Sequence, residues 1–184
     1  MTFFTRIATT ALTGLAVFGF ASAAFATPRN DHAAHVALAN AVMSTGVGFY
    51  VNPEACDDAP ALGWYSGKRK VLVVCQENHK STTVEDQVPW TAEDYDTLRH
   101  EAQHLIQDCM DKKLDHALLP VYRDPINLAI QTLGPERMRT IHLQYTNRGA
   151  DLDTVILEYE AFSVAGLNNP LEQVADIKRF CGVN

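Results

Sequence analysis

The chain has few basic residues, no internal repeats and no low-complexity tracts. Its 184 residues include 15 Lys and Arg against 22 Asp and Glu, which gives a formal net charge of −7. This balance argues against nucleic acid or an anionic membrane as a partner, since both are bound by basic surfaces. Hydrophobic residues make up 47% of the chain, so we expect a folded globule and not a disordered protein.

Long apolar runs are confined to the N-terminus. A basic residue precedes the uncharged run 7–20, and Ala24 and Ala26 place small residues at the −3 and −1 positions of a signal cleavage site before Thr27. The pattern predicts a secretory signal peptide over residues 1–26. A membrane anchor is the alternative, but the run is shorter than the about 20 residues that span a bilayer. We therefore expect residues 27–184 to form one domain, secreted or periplasmic, with no membrane attachment after cleavage.

Cysteine is scarce too, and all four residues lie within the expected domain: Cys56, Cys75, Cys109 and Cys181. In an exported chain this number suits two disulfides. Three pairings are possible on paper. We favour Cys56–Cys75, which closes a local loop, and Cys109–Cys181, which ties the C-terminus to a central predicted helix. A four-cysteine zinc site is not expected, because no spacing resembles a zinc knuckle.

The predicted elements are a helix, a small antiparallel sheet and then a mostly helical bundle, which together define an α+β fold. Short runs rich in Val and Tyr predict three strands, at 47–51, 62–66 and 71–75, the last two joined by a hairpin. Thr91 is the predicted N-cap of a helix that runs to about Lys113. Helical spacing and start signals predict the other helices at 31–44, 124–134, from 135 onward, 151–167 and 170–180.

Residues 100–104 read His-Glu-Ala-Gln-His, which has the spacing of the HExxH pattern. On a helix, His100 and His104 lie one turn apart on the same face, where both imidazoles can bind one metal ion. Glu101 sits beside them and can take a proton from a water molecule on that metal. The residue types predict a Zn²⁺ site, which still needs a third protein ligand and an open position for water.

Residues 158–162 (Glu-Tyr-Glu-Ala-Phe) offer that ligand on a later predicted helix. Together the two segments resemble the gluzincin zinc metallopeptidases, in which HExxH is followed by a Glu-x-x-Ala motif. The resemblance implies a minimal zincin-like core in which the HExxH helix packs against a glutamate helix. It implies a zinc ion bound by His100, His104 and Glu158. It also implies hydrolysis of a peptide or protein substrate, with Glu101 as the general base.

Two glutamates of the second segment are candidate ligands. Glu158 has Ala three residues later and lies on an apolar helix face, where a carboxylate needs a metal or another partner. Glu160 points about 200° away from Glu158 around the helix axis. It is the alternative metal ligand, or else an acid that is solvated or that supports a ligand. Some gluzincins carry an Asp four residues after the ligand to orient a histidine, but this chain has Phe162 there. The histidine's partner is then expected from Glu160, Asp108 or a backbone carbonyl.

Two further features of the chemistry stay open. In such a reaction, a side chain usually donates a hydrogen bond to the oxyanion that forms during attack. The sequence does not choose among three candidates between the two motifs: Tyr145, His142 and Tyr122. The predicted strand at 71–75 could offer an edge for pairing with an extended peptide.

A second function is also open: a non-catalytic, disulfide-stabilised secreted protein with a structural zinc or a partner-binding role. There a fourth ligand such as His142 or His116 would close the metal site, whereas a peptidase keeps that position for water.

Overall fold

The computed structural model describes residues 31–59, 61–80, 88–167 and 169–183. The predicted signal peptide lies outside these ranges. Within them the chain forms an α+β structure of six helices and one three-stranded sheet, in the order that the sequence predicts. Of the helices described, none combines the length and the apolar character needed to cross a membrane.

The helices are numbered α1 to α6 and the strands β1 to β3 in chain order. The helices are α1 (His32–Ser44), α2 (Ala92–Asp108), α3 (Pro125–Thr132), α4 (Gly134–Thr146), α5 (Leu152–Leu167) and α6 (Pro170–Cys181). The strands are β1 (Gly48–Val51), β2 (Gly63–Ser66) and β3 (Val71–Val74).

The sheet is mixed, so the prediction of an antiparallel sheet was wrong for one of its two pairings. The strand order is β1-β3-β2: β2 and β3 form the predicted antiparallel hairpin, but β1 pairs parallel to β3, with Gly48 opposite Val71. After β1 the chain passes to the opposite edge of the sheet, where β2 lies. The hairpin then places β3 between the two edge strands. This position buries Leu72 and Val74 completely.

The central position of β3 also overturns the expectation that segment 71–75 offers a free edge. Within the described sheet, the edge strands are β1 and β2. A strand paired on both sides has no backbone groups left for another chain, whereas an edge strand does. Any pairing with an extended peptide therefore belongs to an edge strand.

Helix α2 is the central element of the fold. Its start is fixed by a capping box, in which Thr91 Oγ1 accepts the backbone N–H of Asp94 at 3.2 Å and the Asp94 carboxylate accepts the backbone N–H of Thr91 at 2.8 Å. The helix ends at Asp108, before the predicted Lys113, because the chain tightens into a 3₁₀ turn at Cys109–Asp111.

Helix α2 packs between the sheet and α5. Apolar residues of α2, such as Leu98 and Leu105, join Leu72 and Val74 of β3 in the main core. Each such side chain contributes about 1.5–3 kcal/mol on burial, so this side holds the helix firmly against the sheet. Contact with α5 buries a second side of α2, and Ala161 of α5 is fully buried.

Both disulfides that the sequence favours are formed in the structure. Cys56–Cys75 joins the turn after β1 to the end of β3, and Cys109–Cys181 joins the end of α2 to the end of α6. Their sequence separations are 19 and 72 residues. The second bond therefore constrains a much longer stretch of the unfolded chain.

We predict that loss of the long-range disulfide destabilises the protein more than loss of the local one. Loop-closure entropy gives about 4 kcal/mol for the 72-residue separation and about 3 kcal/mol for the 19-residue one. Urea unfolding of a Cys109→Ala/Cys181→Ala variant should show the larger loss of unfolding free energy. A Cys56→Ala/Cys75→Ala variant is the matched control, and an equal or larger loss there would contradict the entropic explanation.

Candidate metal centre

Three side chains from two helices meet at one point. His100 and His104 project from α2, and Glu158 projects from α5. The Nε2 atoms of the two histidines lie 3.1 Å apart. Glu158 Oε2 lies 3.1 Å from His100 Nε2, and Glu158 Oε1 lies 3.4 Å from His104 Nε2. All three residues are buried, and they form the one group of possible metal ligands found among the described residues.

The spacing of these atoms fits a tetrahedral metal ion. Ligand atoms about 2.0–2.1 Å from zinc in tetrahedral geometry stand about 3.3 Å from each other. The two Nε2 atoms lie 3.1 Å apart, and each lies 3.1 or 3.4 Å from a different oxygen of the Glu158 carboxylate, which are distances close to this value. Glu158 Oε2 is buried, and among the described residues it has no hydrogen-bond partner of acceptable geometry. A cation bound at this point would satisfy that oxygen and both imidazole nitrogens.

Burial and charge set the protonation of this group. Burial lowers the pKa of His104, but the carboxylate charge of Glu158, its hydrogen bond and the charge of Glu101 raise it overall to about 9. Burial raises the pKa of Glu158, yet the charge of His104 and the contacts with both histidines hold it well below its usual range. Without a metal, the pair therefore stays as imidazolium and carboxylate near neutral pH.

The two histidines are held in different ways. His104 Nδ1 lies 2.8 Å from Gln107 Oε1, one turn further along α2. His100 Nδ1 is buried and has no hydrogen-bond partner in the described part of the chain. The Phe162 ring packs against the His100 ring instead, with centroids 4.3 Å apart. Phe162, four residues after Glu158 on α5, therefore contacts the His100 ring by packing.

Glu101 lies next to the histidines, with its side chain turned toward β2. Burial raises the pKa of its carboxyl group, the charges of His100 and His104 lower it, and a hydrogen bond from the Tyr65 backbone also lowers it. Gly63 makes this approach of strand and helix possible. A Cβ atom at Gly63 would lie 2.6 Å from Thr97 Cγ2 and 3.3 Å from Glu101 Cγ, too close for any larger residue without a shift.

These groups open into a cleft of about 530 Å³. Its floor carries the two histidines, Glu101 and Glu158; one wall is β2, and the opposite wall comes from α4 and the start of α5. The lining residues outside the floor are Gly63, Trp64, Tyr65, His116, Leu118, Tyr145, Asp151, Asp153, Thr154 and Leu157.

The structure separates the three oxyanion candidates. Tyr145 lines the cleft and hydrogen-bonds to Glu158. Burial, with the charge of Glu158 and that hydrogen bond, raises the pKa of Tyr145, so its hydroxyl stays protonated and can donate. His142 is exposed on α4, and neither it nor Tyr122 belongs to the residues that line the described cleft. The backbone N–H of Tyr122 instead donates to Glu160.

Glu160 is fully buried, so the interpretation of this residue as a solvated acid was wrong. It is not part of the group of possible metal ligands, in which Glu158 supplies the carboxylate. The reason is the facing angle on α5, which turns Glu160 toward side-chain amides of α2 at 3.0 Å.

The sequence reasoning did not name Gln107, which lies beside His104 and does not line the described cleft. Gln107 carried a usable signal, because it follows His104 by three residues and so shares its helix face. His116 was named only as a possible fourth zinc ligand, whereas the structure places it on the cleft wall and outside the group of possible metal ligands. Its backbone is left-handed, with φ 72°, and its N–H donates to Asp108 at 2.7 Å, which fixes the ring at the cleft wall beside Tyr65.

These features define an α+β protein with a buried His-His-Glu group that can hold a metal ion. The chain belongs to the DUF8637 family, a domain of unknown function, whose family model matches residues 31–181. No curated protein and no solved structure shows a significant match to the chain.

The metal-free protein should lose stability as pH rises through about 9. The folded pKa of His104, about 9, lies above its ordinary value of 6.5, so its contribution is complete below 6.5 and disappears as pH rises through 9. The lowered pKa of Glu158 acts in the opposite sense: its contribution is present above its ordinary value of 4.5 and is lost as pH falls. Urea unfolding in the presence of a chelator measures both.

A Glu158→Gln variant is the control for this pH dependence. It removes the charge that raises the pKa of His104, so its unfolding free energy should change less between pH 6.5 and 9 than that of the unmutated protein. Parallel curves for the two proteins would show that the pair does not titrate in this way.

Proposed function

We propose that this protein is an exported zinc-dependent metallopeptidase of the gluzincin type. The observation that carries the proposal is the meeting of His100, His104 and Glu158 at one buried point, with Glu101 beside it in an open cleft. The two motifs come from different helices, so the resemblance of short segments is supported by their convergence in space. Export is supported by the signal-like sequence of residues 1–26 and by the two disulfides.

Zinc is the metal that best suits these ligands. Two imidazole nitrogens and one carboxylate oxygen form one of the ligand sets typical of catalytic zinc, with a fourth position left for water. Magnesium and calcium prefer sets made of oxygen atoms alone. When bound, zinc would acidify a water molecule and polarise the carbonyl of the substrate.

Glu101 is the general base and acid in this proposal. Its buried carboxylate would take the proton of the attacking water and pass it to the nitrogen of the leaving amine. The raised pKa that burial gives the carboxyl group suits this exchange, since a proton acceptor works best when its pKa approaches the working pH. The Tyr65 backbone hydrogen bond holds the carboxylate at the cleft floor.

Tyr145 and the edge of β2 complete the proposed site. The protonated hydroxyl of Tyr145 can donate to the oxygen that gains charge during attack. Strand β2 lines the cleft as an edge strand, so an extended peptide can pair with backbone groups of this strand other than the Tyr65 N–H, which donates to Glu101. These features favour a peptide or protein substrate over a small molecule.

The positions of His142 and His116 argue against the non-catalytic alternative. His142 is exposed on α4, and His116 is held at the cleft wall by its contacts with Asp108 and Gly67. Neither belongs to the ligand group in the described part of the chain. A closed structural site would need a fourth protein ligand, such as one of these two histidines.

Replacement of Glu101 by Gln should abolish hydrolysis and leave zinc binding intact. Loss of the proton acceptor should lower the cleavage rate of a quenched peptide library about 10²- to 10⁴-fold. Zinc content by mass spectrometry should stay at one ion per chain. Glu93→Gln, an exposed glutamate on the same helix, is the matched control and should cleave normally. Zinc binding by all three proteins without cleavage by any would favour the structural role.

Replacement of Glu158 by Gln should weaken zinc binding by more than about 100-fold, since loss of a ligand exceeds the usual effect of losing a residue that only supports one. Competition with a chromogenic chelator measures the dissociation constant. Asp153→Asn removes an exposed acid from the rim of the same cleft and should leave the constant unchanged. Equal effects of the two substitutions would mean that general negative charge, and not coordination by Glu158, attracts the metal.

A further inference from the structure

We infer that Glu160 is a positioning residue that orients His104 through Gln107 and also holds one wall of the cleft. The inference rests on the proposed metal site and assigns two roles to a carboxylate that touches neither metal nor substrate. Three observations carry it: the hydrogen bonds of Glu160, the orientation of the Gln107 amide, and the attachment of the segment after α2.

Glu160 is a fully buried carboxylate surrounded by neutral donors. The side-chain amides of Gln103 and Gln107 each lie 3.0 Å from Oε1. The backbone N–H groups of Val121 and Tyr122 each lie 3.0 Å from Oε2. A buried carboxylate accepts hydrogen bonds at both oxygens and donates none when ionised, so it dictates that every one of these partners is a donor.

This requirement fixes the orientation of the Gln107 amide. Its Nε2 donates to Glu160 Oε1 at 3.0 Å and to the backbone oxygen of Leu157 at 3.1 Å, and both partners only accept. The amide oxygen therefore faces the other way, 2.8 Å from His104 Nδ1. Because a carbonyl oxygen cannot donate, His104 must carry a proton on Nδ1.

The consequence for His104 is a fixed tautomer. With Nδ1 protonated, the neutral ring has its lone pair on Nε2, the atom that faces His100 and Glu158. A metal ion at this point needs that lone pair. Glu160, with the Leu157 carbonyl, thus selects the metal-binding form of His104 through the Gln107 amide and without contacting the ring.

The same carboxylate fastens the segment between α2 and α3. Besides the two N–H groups at Val121 and Tyr122, the backbone N–H of Leu119 donates to the Gln107 backbone oxygen at 3.1 Å. This segment carries His116 and Leu118, which line the cleft. Glu160 therefore contributes both to the orientation of His104 and to the attachment of the segment that carries this cleft wall, which Asp108 also holds through the backbone N–H of His116.

Two substitutions separate these roles. Gln107→Met keeps the length of the side chain but removes the acceptor, so the zinc dissociation constant should rise about 10- to 100-fold and the Co²⁺ absorption spectrum should change. The amide hydrogens of Val121 and Tyr122 should stay as protected from exchange as in the unmutated protein. Glu160→Gln should weaken zinc binding similarly and should also speed exchange at these two amides.

Gln173→Leu is the control for loss of a buried glutamine. Gln173 is fully buried and donates to the Arg99 backbone oxygen at 2.8 Å, and it neither belongs to the His-His-Glu group nor lines the described cleft. Its loss should lower the unfolding free energy and leave zinc affinity unchanged. If Gln107→Met does not fold, the Co²⁺ spectrum of Glu160→Gln tests the same relay.

The outcomes distinguish this inference from the function on which it rests. If the unmutated protein binds no zinc, the proposed metallopeptidase fails. If it binds zinc and Gln107→Met binds it equally well, the relay is overturned while the metal site stands. If Glu160→Gln leaves the exchange of Val121 and Tyr122 unchanged, the second role of Glu160 is wrong.

Discussion

The close packing of α2 against α5 is the constraint on which the site depends. Together with the approach of β2, it leaves four ionisable side chains largely out of water: His100, Glu101, His104 and Glu158 are each less than a tenth exposed. Removing such groups from water costs several kcal/mol for each charge. Aliphatic side chains on another side of α2 fix this helix to the sheet. The apolar core thus supplies the stability that lets a charged group remain buried between two helices.

The local part of this arrangement could be predicted from the sequence. The HExxH spacing places two histidines on one helix face, and the facing angle separates Glu158 from Glu160, because a helix repeats with a fixed period. The start of α2 at Thr91 follows from hydrogen bonds within one turn. The helix order and the disulfides were predicted as well. These features depend on residues close together in the chain, or on four cysteines that allow only three pairings.

The rest depends on which distant segments meet, and short patterns do not encode that. The parallel pairing of β1 with β3 is set by the path of the connection between β1 and β2, and the sequence of that connection shows no marked periodicity. His116 reaches the cleft because Asp108 accepts its backbone N–H, a contact of an irregular segment. The sequence left three roles open for Glu160, as a ligand, a solvated acid or a residue that supports a ligand. Nothing near it along the chain shows its four donors, two of which are backbone groups from a segment far upstream.

The bond between Cys109 and Cys181 has a consequence for when the site can exist. It locks the end of the helix that carries both histidines to the last helix of the structure, 72 residues further along the chain. That bond can form only after α6 has been synthesised and where the two thiols can be oxidised. In the reduced chain, the end of the helix that carries both histidines has no covalent link to α6. The tether on this helix therefore depends on the redox conditions around the chain as well as on its sequence.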